Sequence, residues 1–435
     1  VIAACFLLLA LQADPVIEKV EPVVGSVRRP LLWTPLRVTI SSPSDFTGDL
    51  VAKSGFGFSV ARAVAIKAGG REVVLLPAID PTEIRVGQRT FRPSDQVVRP
   101  DRIVLVDARL PYASELASTE KILYQKIPAE ELARLLPRGL LEAADLVLVQ
   151  EPMSGGTVAA TGEAAERAVA SIVDHPPSLE VADRAVWPIA PLENWVPSKK
   201  NWALYFATVY AFAAFVALTV VAKRFPKFGL AAVAGVAALG IVGYAAFPRS
   251  QMWIVGHAAE VVSPAGETRE HRLWFVQSAL EMTASRIEFP RLVKPVFPTT
   301  GGTDDPFTIR VDERGCSVEG LKLLPGRAAC FGGEEPRPTT LRAGEKVDQP
   351  IRAAVVVRAG RSRYLGDLAA GTVVPVELAD GGIPAGPQFD AWKRFVGHDG
   401  LFGVLPSEER PAANVKSSDL ADERDRPPVF IQRFK

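Results

Sequence analysis

The sequence is poor in the residues that most often carry chemistry, with three cysteines, three methionines and four histidines among 435 residues. That is too few for a zinc-ribbon array, an iron–sulfur protein or a disulfide-dense scaffold. No metal site and no cofactor is therefore expected. An imbalance of charge is missing too: 50 Lys+Arg stand against 49 Asp+Glu, a formal charge of +1. Nothing drives such a chain toward nucleic acid, which is not expected as a partner. What the chain does have is apolar residues, 48% of the total, with a mean hydropathy of +0.15 despite 23% charged residues. That surplus has to be concentrated somewhere.

It is concentrated in two runs. Trp202 to Ala222 holds 21 residues without a charge, and Phe228 to Phe247 holds 20 more, separated by Lys223-Arg224-Phe225-Pro226-Lys227. Each run, as a helix, would be about 30 Å long, the thickness of a bilayer's hydrocarbon core. The pattern predicts a transmembrane hairpin over 202–247, with the lipid bilayer as partner and both flanking regions outside the cytoplasm at an inner membrane. Trp202, Tyr205, Tyr244 and Trp253 lie where aromatic belts form. Ala203, Ala207 and Ala211 on the first run, with Ala231 and Gly235 on the second, suit a close helix–helix seam; filler alanines would give the same spacing. Neither run carries an ionisable group, which argues for an anchor rather than a transporter. Residues 1–13, VIAACFLLLALQA, read as the apolar region and cleavage site of a signal peptide.

From 16 to 98 the chain alternates short apolar runs with turn signals. Strands are expected at 35–40, 48–52, 60–66 and 72–76, an arrangement that suits an immunoglobulin-like β-sandwich. The pattern changes near Pro100. The apolar strand 103–107, a helix over 129–143 and the strand 146–150 imply a parallel pair with a right-handed crossover, a small α/β unit over 99–190. Asp107 and Glu151 fall at the carboxyl ends of those strands, where open α/β sheets bind ligands. Paired carboxylates there are suited to acid–base or metal work; solvated caps are the plainer reading. Ser154 is the nearest hydroxyl.

Trp33, Pro35 to Ile40, Phe46-Thr47-Gly48, Gly69 to Pro77 and Arg363 to Gly371 carry a resemblance. In these motifs the chain resembles a loosely defined group of bacterial envelope membrane proteins. Their pattern is a sandwich, a flavodoxin-like or glutamine-amidotransferase-like α/β unit, a membrane segment and a C-terminal β domain. Amidotransferases of this kind use a cysteine on a strand-to-helix elbow. Here Cys5, Cys316 and Cys330 all lie outside the α/β unit, so the resemblance implies a degenerate unit without that nucleophile.

Residues 250–405 read as a second β-sandwich and 406–435 as a weakly structured tail in which Phe430-Ile431 adds an edge strand or docks. Cys316 and Cys330, in an oxidising compartment, are expected to close a disulfide worth about 3 kcal/mol. The whole is a membrane-anchored α+β protein of several domains. Its expected role is non-catalytic, binding other envelope proteins or polymers. The alternative is a hydrolase or transferase acting at Asp107, Glu151 or Ser154.

Overall fold

The computed structural model describes residues 14–24, 32–93, 102–153, 156–174, 199–216, scattered positions from 219 to 240, 252–262, 268–278, 281–296, 306–312, 315–324, 328–337, 346–347, 349–375, 382–383, 399–406, 415–425 and 429–433. Strand accounts for 53% of the structure and helix for 17%, so sheets set the architecture. The segment 1–13 lies outside the described residues.

The first two sheets follow from period-2 patterning. Thr34–Ser42 points Leu36, Val38 and Ile40 inward, and Gly70–Ala78 does the same with Val74, Leu76 and Ala78. With Val16–Pro22 these strands form a three-stranded antiparallel sheet. It faces Leu50, Ala52, Val64, Ile66, Ile84 and Val86 from a second sheet, and the two close one core. The strands expected at 35–40, 48–52, 60–66 and 72–76 fall inside Thr34–Ser42, Phe46–Ser54, Ser59–Ile66 and Gly70–Ala78.

That second sheet does not stop at the N-terminal region. It has seven strands, in the order Met282–Phe289, Cys316–Leu323, Thr308–Val311, Ser59–Ile66, Phe46–Ser54, Pro81–Val86 and Arg89–Phe91. The join is a parallel pairing in which Thr308, Ile309 and Arg310 lie beside Ser59, Val60 and Ala61. On the outer face Arg310 crosses the small side chains Ala61 and Ala63 to reach Asp49, with bonds of 2.7 and 3.0 Å. The C-terminal strands are therefore not a separate sandwich. Three of them complete the N-terminal sheet, and the rest enter a nine-stranded sheet running from Lys294–Pro295 to Arg361–Leu368. Nor is the C-terminal end merely a tail. Val429–Arg433 lies between Met252–Val262 and Gly400–Val404 in the interior of that sheet.

The α/β unit is a four-stranded parallel sheet ordered Thr157–Val158, Leu146–Val149, Arg102–Asp107, Ile122–Ile127. Its two faces enter different cores. Val104, Val106, Leu146 and Leu148 meet Tyr112 and the helix Gly162–Asp174. Ile103, Leu105, Val147 and Val149 join Leu132, Leu135, Leu140 and Leu141 in a large core that also takes Trp33, Ile254, Trp274, Phe289 and Val415. That core draws on residues from 23 to 415, so both halves of the chain are parts of one body. The expected helix over 129–143 ends early, at Leu135. Pro137 lacks the N–H an α-helix needs, so a short 3-10 turn follows, and Gly139 turns the chain with φ +66°. A Cβ there would sit 3.1 Å from the Glu334 carbonyl oxygen. Glycine lets this turn lie directly on the strand Ala328–Arg337.

The transmembrane hairpin is overturned. Among the described residues of the first apolar run, a helix covers Lys199–Val216 and opens with Lys-Lys-Asn. Ala222–Arg224 is a three-residue helix. Among the described residues no helix is long and apolar enough to cross a membrane, which removes the two spanning helices and the inner-membrane placement built on them. Of the expected seam, Ala203 and Ala207 lie on the helix Lys199–Val216, while Ala211, Ala231 and Gly235 are exposed. Among the described residues the two runs approach each other at Gly240, where a Cβ would come 2.9 Å from the Tyr210 ring.

Candidate functional site

In a parallel sheet of this order, the chain leaves Arg102–Asp107 toward one side and reaches Leu146–Val149 on the other. The carboxyl ends of those two strands flank the switch point at which open sheets of this kind bind ligands. Asp107 closes the first strand and Glu151 follows the second, so the structure brings both expected carboxylates to this place. Ser154 lies outside the described residues.

The carboxylates do not face an open space together, because Arg109 stands between them. Asp107 is fully buried. Its Oδ1 accepts from the Arg109 backbone N–H at 3.0 Å and from Nε at 3.2 Å, and its Oδ2 accepts from Nη2 at 2.9 Å. The Arg109 guanidinium is half exposed, and its Nη1 lies 3.9 Å from Oε1 of the exposed Glu151. Burial alone would push the Asp107 carboxyl up. The hydrogen bonds and charge of Arg109, with the Gln150 backbone N–H, outweigh that and hold it below the usual carboxylate range. Asp107 in turn raises the Arg109 guanidinium, and Glu151 adds a little. Such a carboxylate stays ionised and engaged, and is a weak general base. Its chemistry is that of a strut.

Arg109 was not legible as a site residue from composition. The signal was local: a carboxylate at a strand end followed two residues later by arginine, Asp107-Ala108-Arg109, where backbone and guanidinium close on the same carboxylate. Tyr112, one turn on, donates its hydroxyl to the Ala159 carbonyl, tying the turn after the first strand to the loop after Thr157–Val158. Burial raises its phenol above the ordinary value.

Cys316 and Cys330 are buried and form no disulfide with each other. Alternation along the strands explains this. Cys316 lies in the large core, on the seven-stranded sheet. In Ala328–Arg337 it is Ala329 and Phe331 that enter this core, so Cys330, between them, points to the opposite face. Burial pushes the Cys316 thiol up to about 12, and its Sγ donates to the Arg291 carbonyl at 3.3 Å. A thiol held there is inert as a nucleophile. Among the described residues no three His, Cys, Asp or Glu side chains cluster as metal ligands.

No protein-family model matches the chain, and no curated protein matches it. Function therefore has to be read from geometry.

Proposed function

We propose that the protein is a non-catalytic binding protein for partner proteins or polymers. The observation that carries this reading is the pairing of Asp107 with Arg109: the one buried carboxylate at the switch point is spent on a neighbouring cation two residues away. A hydrolase at this place would need that carboxylate, or Glu151, to face substrate with a proton to give or take.

The strand edges support a binding role because they are treated unequally. Along Gly70–Ala78 the edge carbonyl of Leu75 is capped by Arg62. Along Met282–Phe289 the edge is covered by residues 415–419, with Glu288 and Lys416 exchanging backbone bonds of 2.8 and 3.1 Å. Such covering blunts an edge against chance pairing. Arg361–Leu368, the outer strand of the nine-stranded sheet, instead displays Arg361, Arg363 and Tyr364 to solvent, with a one-residue bridge to Gly382. An edge of this type accepts an extended partner segment, main chain to main chain.

The experiment compares two variants. Asp107→Asn should leave partner capture unchanged, and neither it nor the wild type should turn over a panel of ester, glycoside and phosphate substrates. Arg361→Glu with Arg363→Glu should lower capture. Turnover by the wild type that disappears in Asp107→Asn would contradict the reading.

A further inference from the structure

The α/β unit is fastened to the rest of the body at a buried group of charges that plays no part at the switch point. Glu142, just beyond the turn at Gly139, is buried. Its Oε2 accepts from Lys294 Nζ at 2.7 Å and from the Trp33 backbone N–H at 3.4 Å. Lys294 belongs to the edge strand Lys294–Pro295 of the nine-stranded sheet, and Trp33 precedes the sandwich strand Thr34–Ser42. One carboxylate thus joins its own segment to two parts of the chain, 109 and 152 residues away in sequence.

The same place holds further charge. Glu334 is close enough to repel Glu142 electrostatically, and its Oε1 lies 3.1 Å from Nδ1 of the buried His271. Glu270 and Arg291 form a neighbouring pair at 3.1 Å. Beside Glu142 stand the Lys294 ammonium and the Glu334 carboxylate, the latter also against His271. Two carboxylates thus stand beside one ammonium in a place water barely reaches, with the imidazole against the second carboxylate. A sealed site with a surplus negative charge is relieved by a proton.

We propose that docking of the α/β unit onto the two larger sheets takes up a proton at Glu142, so that mild acid fastens the unit and alkali loosens it. Glu142 Oε2 already takes both donors, which leaves Oε1 as the oxygen that receives the proton. The bond to Lys294 survives the change, because a protonated carboxyl still presents Oε2 as an acceptor. Burial, against the pull of Lys294 and helped by Glu334, raises the Glu142 carboxyl above its ordinary value. A group raised in the docked state gives stability that is complete below its solvated value, about 4.3. That stability is lost as pH rises through the docked value.

Hydrogen exchange in the full chain between pH 8 and pH 5.5, corrected for intrinsic exchange, tests this. Opening of the segment Ala129 to Ala144 should become rarer on acidification, by up to about tenfold per pH unit within the titration. Amides of Thr34–Ser42, inside the sandwich core, should change less. Glu142→Gln copies the protonated carboxyl in shape and charge, so it should stay docked with a flat pH profile. His271→Gln should keep the wild-type slope. A flat or opposite slope in the wild type would overturn the proposal. So would a slope that survives in Glu142→Gln or vanishes in His271→Gln, the latter moving the proton to the imidazole.

Discussion

Two carboxylate–cation pairs hold the α/β unit, and they differ in what surrounds them. Asp107 and Arg109 are two residues apart at a strand end, with the guanidinium half in water. Glu142 and Lys294 are 152 residues apart and both are buried. Arg109 therefore keeps Asp107 ionised, while in the sealed pair burial raises the Glu142 carboxyl against the pull of Lys294. The local pair shapes one turn. The distant pair ties together parts of the chain that would otherwise meet only through apolar contact.

Removing one member of each pair should separate them most clearly. In alkali, where Glu142 is ionised, Lys294→Met leaves that carboxylate buried beside Glu334 without its ammonium, and should cost about 3–5 kcal/mol in denaturant unfolding. Adding Glu142→Leu should recover most of that loss, since an apolar pair of similar volume removes the uncompensated charge. A double variant as unstable as Lys294→Met would show that the damage was packing. Asp107→Ala should cost less, about 1–2 kcal/mol, for the charge-assisted hydrogen bonds from Arg109 and Gln150 that it removes. The pH dependence of the two carboxylates should also run in opposite senses. The stability due to Asp107, whose carboxyl is held low, is present above its ordinary value of about 3.9 and lost as pH falls through the lower folded value. Glu142 gains from acid instead.

Smaller effects sharpen the comparison at the joints beside each pair. Gly139→Ala places a Cβ against the Glu334 carbonyl at positive φ and should cost about 1–2 kcal/mol by thermal melting. Arg37→Ala removes a two-bond contact to Glu131, at 2.7 and 2.8 Å, that is partly open to solvent. About 0.5 kcal/mol is expected there, falling further in high salt.

Local pattern made some of this legible. Leu36, Val38 and Ile40 alternate so strictly that one face of Thr34–Ser42 had to be core, and the apolar strand ending at Asp107 placed that carboxylate correctly. Ile122–Ile127 was missed because it is the edge of the parallel sheet. Its residues are mostly half-buried, so no apolar run marks it. The helix from Ala129 was drawn too long because the leucines continue past Pro137 in helical spacing; their burial comes from a turn folded onto the neighbouring sheet. The greatest gap is the pairing of Thr308–Val311 with Ser59–Ile66. Two short strands some 250 residues apart carry no local mark of each other, and the long apolar runs between them suggested a boundary. The same runs suggested two membrane helices, but among the described residues no helix is long and apolar enough to cross a membrane. Arg109 shows a further blind spot, since strand-end carboxylates look reactive until the cation beside them is placed.

The shared seven-stranded sheet is the central claim, and a paired-cysteine cross-link tests it most directly. With Cys5 replaced by serine, Ser59→Cys and Thr308→Cys occupy directly paired positions in the parallel register, within the Cα separation a disulfide tolerates. Mild oxidation of the folded chain should join them, shown as a faster-migrating band on non-reducing gels that reductant reverses. Lys53→Cys with Ser59→Cys, an antiparallel pair inside the N-terminal region, serves as the control. A control that cross-links while the 59–308 pair stays reduced would contradict the account, and would mean that the two halves of the chain fold apart.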